Sequence, residues 1–143
     1  MPWSGPFTIG ALLERCLESD RPWPPESPGV YVVTRRYWEG EPDREAEILY
    51  VGGITGKSNR FVTRIGDLIA DMYGFFGEDT GHHSGGQKLH RWCVTKQVHP
   101  SSLFVAWKSD FPCARCAEYE VWKLLKPELN AIAPPRCRFH DSE

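Results

Sequence analysis

The fold is decided by two β-like runs, Gly29-Val30-Tyr31-Val32-Val33-Thr34 and Glu47-Ile48-Leu49-Tyr50-Val51-Gly52. β-Branched and aromatic residues dominate both runs, and such residues are favoured on the pleated surface of a strand. The polar segment 39–45 between them has the character of a hairpin connection. The two runs therefore predict an antiparallel hairpin with one tyrosine in each strand.

Helical patterns and one further strand surround this hairpin. Thr8 can cap a short helix whose apolar stripe runs from Ile9 to Leu17, and residues 61–72 repeat apolar side chains at helical spacing. The proline-rich segment 22–28 cannot be helical and predicts an extended connector. Residues 103–107 predict another strand, and a last helix lies between Pro112 and Pro127. This order predicts an α/β (α+β) layout on a small central sheet.

The composition is that of an ordinary folded chain. Its 143 residues suit one domain, and 41% apolar with 25% charged residues exclude a disordered chain. The net charge of −2 gives no overall attraction to nucleic acid, so a DNA-binding surface has to be a local patch. The N-terminus has no signal-peptide profile, and no apolar run approaches membrane-spanning length. We therefore expect an intracellular, cytoplasmic protein without a membrane partner, whose cysteines are reduced or metal-bound.

The last helix places a carboxylate on its apolar side. Three apolar residues follow Glu118 at i+3, i+4 and i+7, namely Val121, Trp122 and Leu125. Glu120 lies about 200° away, toward solvent. An inward carboxylate without a partner is costly to bury, whereas Mg²⁺ suits a single carboxylate completed by water and phosphate oxygens. The alternative is a carboxylate that only stabilises the helix N-terminus through the helix dipole.

Together, Gly29-Val30-Tyr31, Tyr50-Val51-Gly52 and the acidic helix resemble the GIY-YIG nuclease superfamily. In that family a metal-binding glutamate opens the helix, nine residues before a proline and twelve before an asparagine, and here Pro127 and Asn130 hold those places. The resemblance spans residues 28–131 and implies a three-stranded antiparallel sheet flanked by helices. Residues 1–27 would then form an N-terminal helix and connector, and residues 132–143 a tail.

The resemblance also implies an activity, the metal-dependent hydrolysis of phosphodiester bonds in DNA. Tyr31 would activate the attacking water, Tyr50 would position it, and Glu118 would hold one Mg²⁺ or Mn²⁺. Asn130 would brace the site. The biological role (repair, restriction or element mobility) stays open.

An arginine of the second helix would bind the phosphate charge that builds up during the reaction. Arg60 has the usual family spacing from Tyr50, whereas Arg64 precedes Ile65 as in the family's Arg-Leu pair. The helical wheel favours Arg64, because Arg60 points further toward solvent. The alternative for both is a salt-bridged outer stripe with Asp67 and Asp71.

Two positions depart from the family pattern. Gly53 stands where many relatives carry lysine, and Leu68 stands where some carry histidine or tyrosine. A phenol with a pKa near ~10 is a poor base at neutral pH, so Tyr31 needs help from another group. His82 or His83, in a glycine-rich loop, can supply it, although surface histidines without a role are the alternative.

A second constellation of residues fits a structural zinc site. Cys113-x-x-Cys116 is followed, after twenty residues, by Cys137-x-x-His140, and thiolates with imidazole are zinc ligands. Such a site would attach the tail to the start of the last helix. Two free thiols and an irregular tail are the alternative.

Two rival functions remain open. Cys113 and Cys116 at a helix start resemble a thioredoxin-like dithiol, whose first thiol has a lowered pKa, but only 27 residues follow Cys116. A nuclease-like domain that binds DNA without cutting it is the other rival, given the glycine at position 53. For either DNA-binding function, cations at the surface could contact phosphates: Lys57, Arg60, Lys88, Arg91, Lys96 and Lys108.

Overall fold

A computed structural model describes residues 3–15, 17–20, 22–24, 28–54, 60–74, 84–109, 111–130 and 133–134, with the backbone alone at residues 54, 60–64 and 84. The strands are β1 (Ser4–Thr8), β2 (Gly29–Thr34), β3 (Ile48–Ile54) and β4 (Phe104–Lys108). The helices are α1 (Ile9–Glu14), α2 (Arg60–Met72), α3 (Ser84–Lys96) and α4 (Ala114–Leu125). None of the helices in these ranges is long and apolar enough to cross a membrane.

The four strands form one antiparallel sheet in the order β1-β4-β2-β3. The predicted hairpin is confirmed, because β2 pairs with β3 and Tyr31 lies opposite Gly52. The predicted number of strands is wrong, since β1 adds a fourth strand beside β4. Gly5 and Pro6 concealed β1, because both residue types are depleted in strands, yet an edge strand tolerates them.

The two faces of the sheet are covered by different helices. One face, which we call the tyrosine face, packs against α1, α2 and α3, and its buried cluster includes Tyr31, Val33, Val105, Leu68, Met72, Leu89 and Trp92. The other face, the α4 face, packs against α4, and its smaller cluster includes Val30, Val32, Val51, Ala106 and Leu125, with Val121 and Trp122 against it. Alternate residues of the strands therefore enter two separate cores.

The helix ends follow the expected local signals. Thr8 caps α1 by accepting a hydrogen bond from the Ala11 backbone N–H at 3.1 Å. Helix α1 ends at Glu14, which leaves the predicted stripe residue Leu17 97% exposed beyond it. Helix α4 ends at Leu125, and its C-cap residue Lys126 adopts a left-handed conformation with φ 50° immediately before Pro127.

The chain after α4 covers the exposed edge of β3. The backbone N–H groups of Glu128 and Leu129 donate to the carbonyl oxygens of Ile48 and Leu49 at 3.0 and 2.9 Å. The Asn130 carboxamide then donates to the Val51 carbonyl oxygen at 2.6 Å and accepts from the Val51 N–H at 3.3 Å. Because an uncovered edge presents unpaired backbone groups, these bonds close that side of the sheet.

Candidate active site at the end of strand β3

A bulge in β3 brings the two tyrosines to the same face of the sheet. The register between β2 and β3 shifts between Val33 and Thr34, so that Leu49 is an extra residue and Tyr50 lies opposite Val33. An extra residue reverses the alternation of side chains, and Tyr50 therefore packs in the cluster that contains Tyr31. The two rings are stacked with centroids 6.1 Å apart. Tyr31 is buried and Tyr50 half-buried.

Two glycines at the end of β3 leave room for functional groups on both faces. A Cβ atom at Gly52 would lie 2.5 Å from the Tyr31 hydroxyl oxygen. A Cβ atom at Gly53 would lie 3.4 Å from Oε1 of Glu118 and 2.7 Å from the Gly29 carbonyl oxygen. The Tyr31 hydroxyl and the Glu118 carboxylate therefore lie against adjacent residues of β3, one on each face. A lysine at position 53, as in many GIY-YIG nucleases, would not fit without displacing its neighbours.

Helix α4 aims Glu118 at the sheet. Val121, Trp122 and Leu125 pack in or against the cluster of the α4 face, and Glu118 lies one turn before them. Glu118 is half-buried, whereas Glu120 is exposed on the opposite side of the helix. The packing of the apolar residues thus fixes the direction of the carboxylate.

Helix α3 begins directly on the Tyr50 ring. A Cβ atom at Gly85 would lie 2.3 Å from Cζ of Tyr50 and 2.7 Å from its hydroxyl oxygen. At the next residue, Gly86, a Cβ atom would lie 2.8 Å from the Leu68 carbonyl oxygen of α2. Only glycine permits approaches this close. The amphipathic pattern of the sequence covers only residues 87–94 and therefore does not predict a helix that begins at Ser84, although the Gly85-Gly86 pair is a signal of close packing.

The chain after α4 connects the predicted bracing residue to the same strand. Asn130 bonds both backbone groups of Val51, the residue before Gly52. Its own carbonyl oxygen accepts a hydrogen bond from Nε1 of Trp122 at 2.6 Å. Asn130 therefore links β3 to the helix that carries Glu118.

Several predicted residues fall outside the described structure. Arg60 and Arg64 lie on α2, which packs on the tyrosine face through Ile65 and Leu68, but their side chains are not among the described ones. His82, His83, Lys57, Cys137 and His140 also lie outside the described residues. The preference for Arg64 over Arg60 therefore stays a prediction, and so does the assistance of Tyr31 by His82 or His83.

The donor atoms at the end of β3 suit a hard cation. Within the described residues, no group of three or more His, Cys, Asp or Glu side chains is placed to hold a metal ion. Mg²⁺ needs no such group, since it binds through one or two carboxylates and keeps several waters. The Glu118 carboxylate, with the Gly29 carbonyl oxygen nearby, offers the oxygen donors that Mg²⁺ and Mn²⁺ prefer.

The described cysteines differ in their surroundings. Cys113 caps α4, and its Sγ accepts a hydrogen bond from the Cys116 N–H at 3.5 Å. These half-buried thiols form the described half of the predicted zinc ligand set. Cys93 of α3 is buried instead, and desolvation raises the pKa of its thiol to about 11. Cys93 is therefore a packing residue and not a reactive thiol.

The predicted phosphate-contacting cations whose side chains the structure describes do not share one groove. Lys88, Arg91 and Lys96 lie on α3, which packs on the tyrosine face. Lys108 lies on the α4 face, where its Nζ is 5.2 Å from the ring centroid of Phe111. The cations of α3 and Lys108 are therefore separate surfaces.

Comparison of the chain with protein-family models, with curated proteins and with solved structures finds no match in any of the three. The resemblance to GIY-YIG nucleases thus stays an expectation from the sequence motifs.

Proposed function

We propose that this protein is a metal-dependent endonuclease that hydrolyses phosphodiester bonds in DNA. Its catalytic residues would be Tyr31, Tyr50, Arg64 and Glu118. The observation that carries the proposal is that the Tyr31 hydroxyl and the Glu118 carboxylate lie against the adjacent residues Gly52 and Gly53, on opposite faces of the sheet at the end of β3. Tyr50, stacked on Tyr31, adds a second phenol to the tyrosine side of this strand end.

Glu118 would hold the cofactor, Mg²⁺ or Mn²⁺, at the end of β3. When bound, such an ion polarises the phosphate and stabilises the charge of the leaving oxygen. Glu118 is half-buried, and a phosphate would approach it from the exposed part of this residue. Arg64, or Arg60 in its place, would bind the phosphate from helix α2.

The tyrosines would act on the attacking water. Tyr31 is 1% exposed, and its hydroxyl lies against Gly52 at the end of β3. Tyr31 would accept a hydrogen bond from the attacking water and so activate it for attack on phosphorus. Tyr50 is the more accessible of the two and would position the water or the phosphate.

Glu118→Gln tests the proposal, with Glu120→Gln as the matched control on the same helix. Purified protein should nick supercoiled plasmid in the presence of Mg²⁺ or Mn²⁺ and should not do so in EDTA. Glu118→Gln should slow cleavage by at least about 100-fold, as expected for the loss of one group that stabilises transition-state charge. The exposed Glu120→Gln should cleave like the original protein.

Three outcomes would contradict this assignment. Full cleavage by Glu118→Gln would show that the carboxylate does not hold the metal. Metal-independent DNA binding without any cleavage on plain, flapped or branched duplexes would favour a non-catalytic DNA-binding domain. Reduction of insulin disulfides by Cys113 and Cys116, with intact DNA, would favour the dithiol function.

We further propose a structural zinc ion, held by Cys113, Cys116, Cys137 and His140. The two described thiols stand in the first turn of α4, so a bound ion would stabilise the start of the helix that carries Glu118. Metal analysis should find about one zinc per chain, in line with a closed four-ligand site, and Cys113→Ser should lose it. Zinc-free protein with an unchanged melting temperature would exclude this ion.

A further inference from the structure

Cations line one depression beside the candidate active site. Between α3 and the chain that covers β3 lies a depression of about 360 Å³, lined by Lys88, Arg91, Trp92, Thr95, Lys96, Glu128 and Leu129. Helix rise places Lys88 and Lys96 about 12 Å apart along the axis of α3. That length spans roughly three to four phosphates of one strand of a duplex.

Arg35 adds a fourth cation that no sequence pattern indicated. Its guanidinium carbon lies 5.6 Å from the ring centroid of Trp92, in a cation–π arrangement. Nε1 of Trp92 donates to Oε2 of Glu128 at 3.2 Å. Trp92 thus holds an arginine from the end of β2 next to the cations of α3, while its polar edge binds the acidic group of the depression.

Glu47, the acidic group beside Arg35, already has a closer partner. Glu47 accepts a hydrogen bond from Nε of Arg36, and Arg35 lies farther from it at 3.9 Å. The pKa of Glu47 is lowered mainly by its hydrogen bond to Arg36, and Arg35 and Lys96 lower it further by their charge. Since Arg36 binds Glu47 most closely, Arg35 and Lys96 contribute positive charge to the surface.

This charged surface is continuous with the candidate active site. Lys88 stands three residues, one helical turn, after Gly85, which contacts the Tyr50 ring. The protein as a whole has a net charge of −2, so the concentration of cations here is local. A strand running along α3 would reach Tyr50 at the start of the helix.

We propose that Arg35, Lys88, Arg91 and Lys96 form the binding surface for the phosphodiester backbone of duplex DNA. We call these four residues the α3 cationic surface. The choice of DNA rests on the proposed nuclease function, whereas the anionic character of the ligand follows from the four cations. The surface would direct the backbone along α3 and deliver a phosphate to Tyr50.

The salt dependence of DNA binding tests this surface. Binding of a fluorescein-labelled 20-base-pair duplex is measured by anisotropy in EDTA between about 50 and 200 mM salt, so that affinity is read without cleavage. The slope of log K against log salt should become shallower by about 1.8 in the double variant Lys88→Gln/Arg91→Gln, because two phosphate contacts are lost. The control, Lys123→Gln/Lys126→Gln, removes the same charge from the exposed end of α4 and should keep the original slope.

The outcomes separate the surface from the nuclease assignment. An unchanged slope in a folded Lys88→Gln/Arg91→Gln variant, or an equal change in the control, would overturn the surface even if the protein cleaves DNA. If the slopes are as expected but the protein never cleaves DNA, the DNA-binding surface would be supported and the proposed nuclease activity would be wrong. Polyglutamate binding as tight as duplex binding would indicate an acidic protein partner and would also overturn the DNA-binding surface. Far-UV circular dichroism and melting temperatures confirm that all variants are folded.

Discussion

The two faces of the sheet position their functional groups in different ways. On the tyrosine face, three helices bury a large cluster, and Tyr31 lies buried in it with its hydroxyl against Gly52. On the α4 face, one helix covers a smaller cluster, and Glu118 stays half-buried. Hydrogen bonds from Asn130 complete the attachment of that face. The more deeply buried face thus carries the groups proposed to handle water, and the more accessible face carries the group proposed to bind metal.

Of the substitutions that disturb the packing of one sheet face, Gly85→Ala on the tyrosine face should lower stability most. The new methyl group would meet the Tyr50 ring at 2.3 Å, so the ring or α3 has to move. We expect a loss of about 1–3 kcal/mol in the free energy of unfolding, as for other overpacked sites, together with slower cleavage. Denaturant unfolding measures the first effect and plasmid nicking the second. Mn²⁺ affinity, which depends on the α4 face, should change little.

Gly66→Ala is the matched control for this clash. Gly66 lies inside α2, and a Cβ atom there would meet nothing within 4 Å. Alanine is a better helix former than glycine, so the free energy of unfolding of this variant should rise by about 0.5–1 kcal/mol. If both variants lose the same free energy of unfolding, the clash with Tyr50 is not the cause of the destabilisation in Gly85→Ala.

Asn130→Ala should weaken the α4 face with a smaller effect. The buried N–H and carbonyl groups of Val51 would lose their side-chain partners. If neither group found a new partner, the free energy of unfolding would fall by about 1–3 kcal/mol for each. Because water can replace the partners at an edge strand, we expect the free energy of unfolding to fall by only about 1 kcal/mol. Mn²⁺ affinity should fall as α4 loosens, while the tyrosine rings keep their stacking. An unchanged melting temperature would show that Asn130 does not hold the strand edge.

The parts of the structure that sequence could predict are those set by local patterns. The hairpin follows from two runs of β-forming residues, and α4 follows from its apolar period between Pro112 and Pro127. The inward direction of Glu118 follows from the same period. These predictions needed no knowledge of distant contacts.

The parts that sequence could not predict depend on pairing and packing at a distance. The bulge at Leu49 exists only in relation to β2, yet it decides which face Tyr50 occupies. The strand β1 forms only because β4 offers it an edge. The early start of α3 depends on the Tyr50 ring under Gly85, and Arg35 joins the cations of α3 only through Trp92.

Broadening of tyrosine ring signals by Mn²⁺ tests most directly whether the two faces share one site. Protein with ¹³C-labelled tyrosine rings is titrated with Mn²⁺ and followed by NMR, with assignments from single Tyr→Phe variants. Tyr37, which follows the far end of β2, is the internal control. An ion bound by Glu118 should broaden the signals of Tyr31 and Tyr50 well before those of Tyr37, and Glu118→Gln should abolish the difference. Equal broadening of all three rings, or the same pattern in Glu118→Gln, would contradict a common site at Gly52 and Gly53.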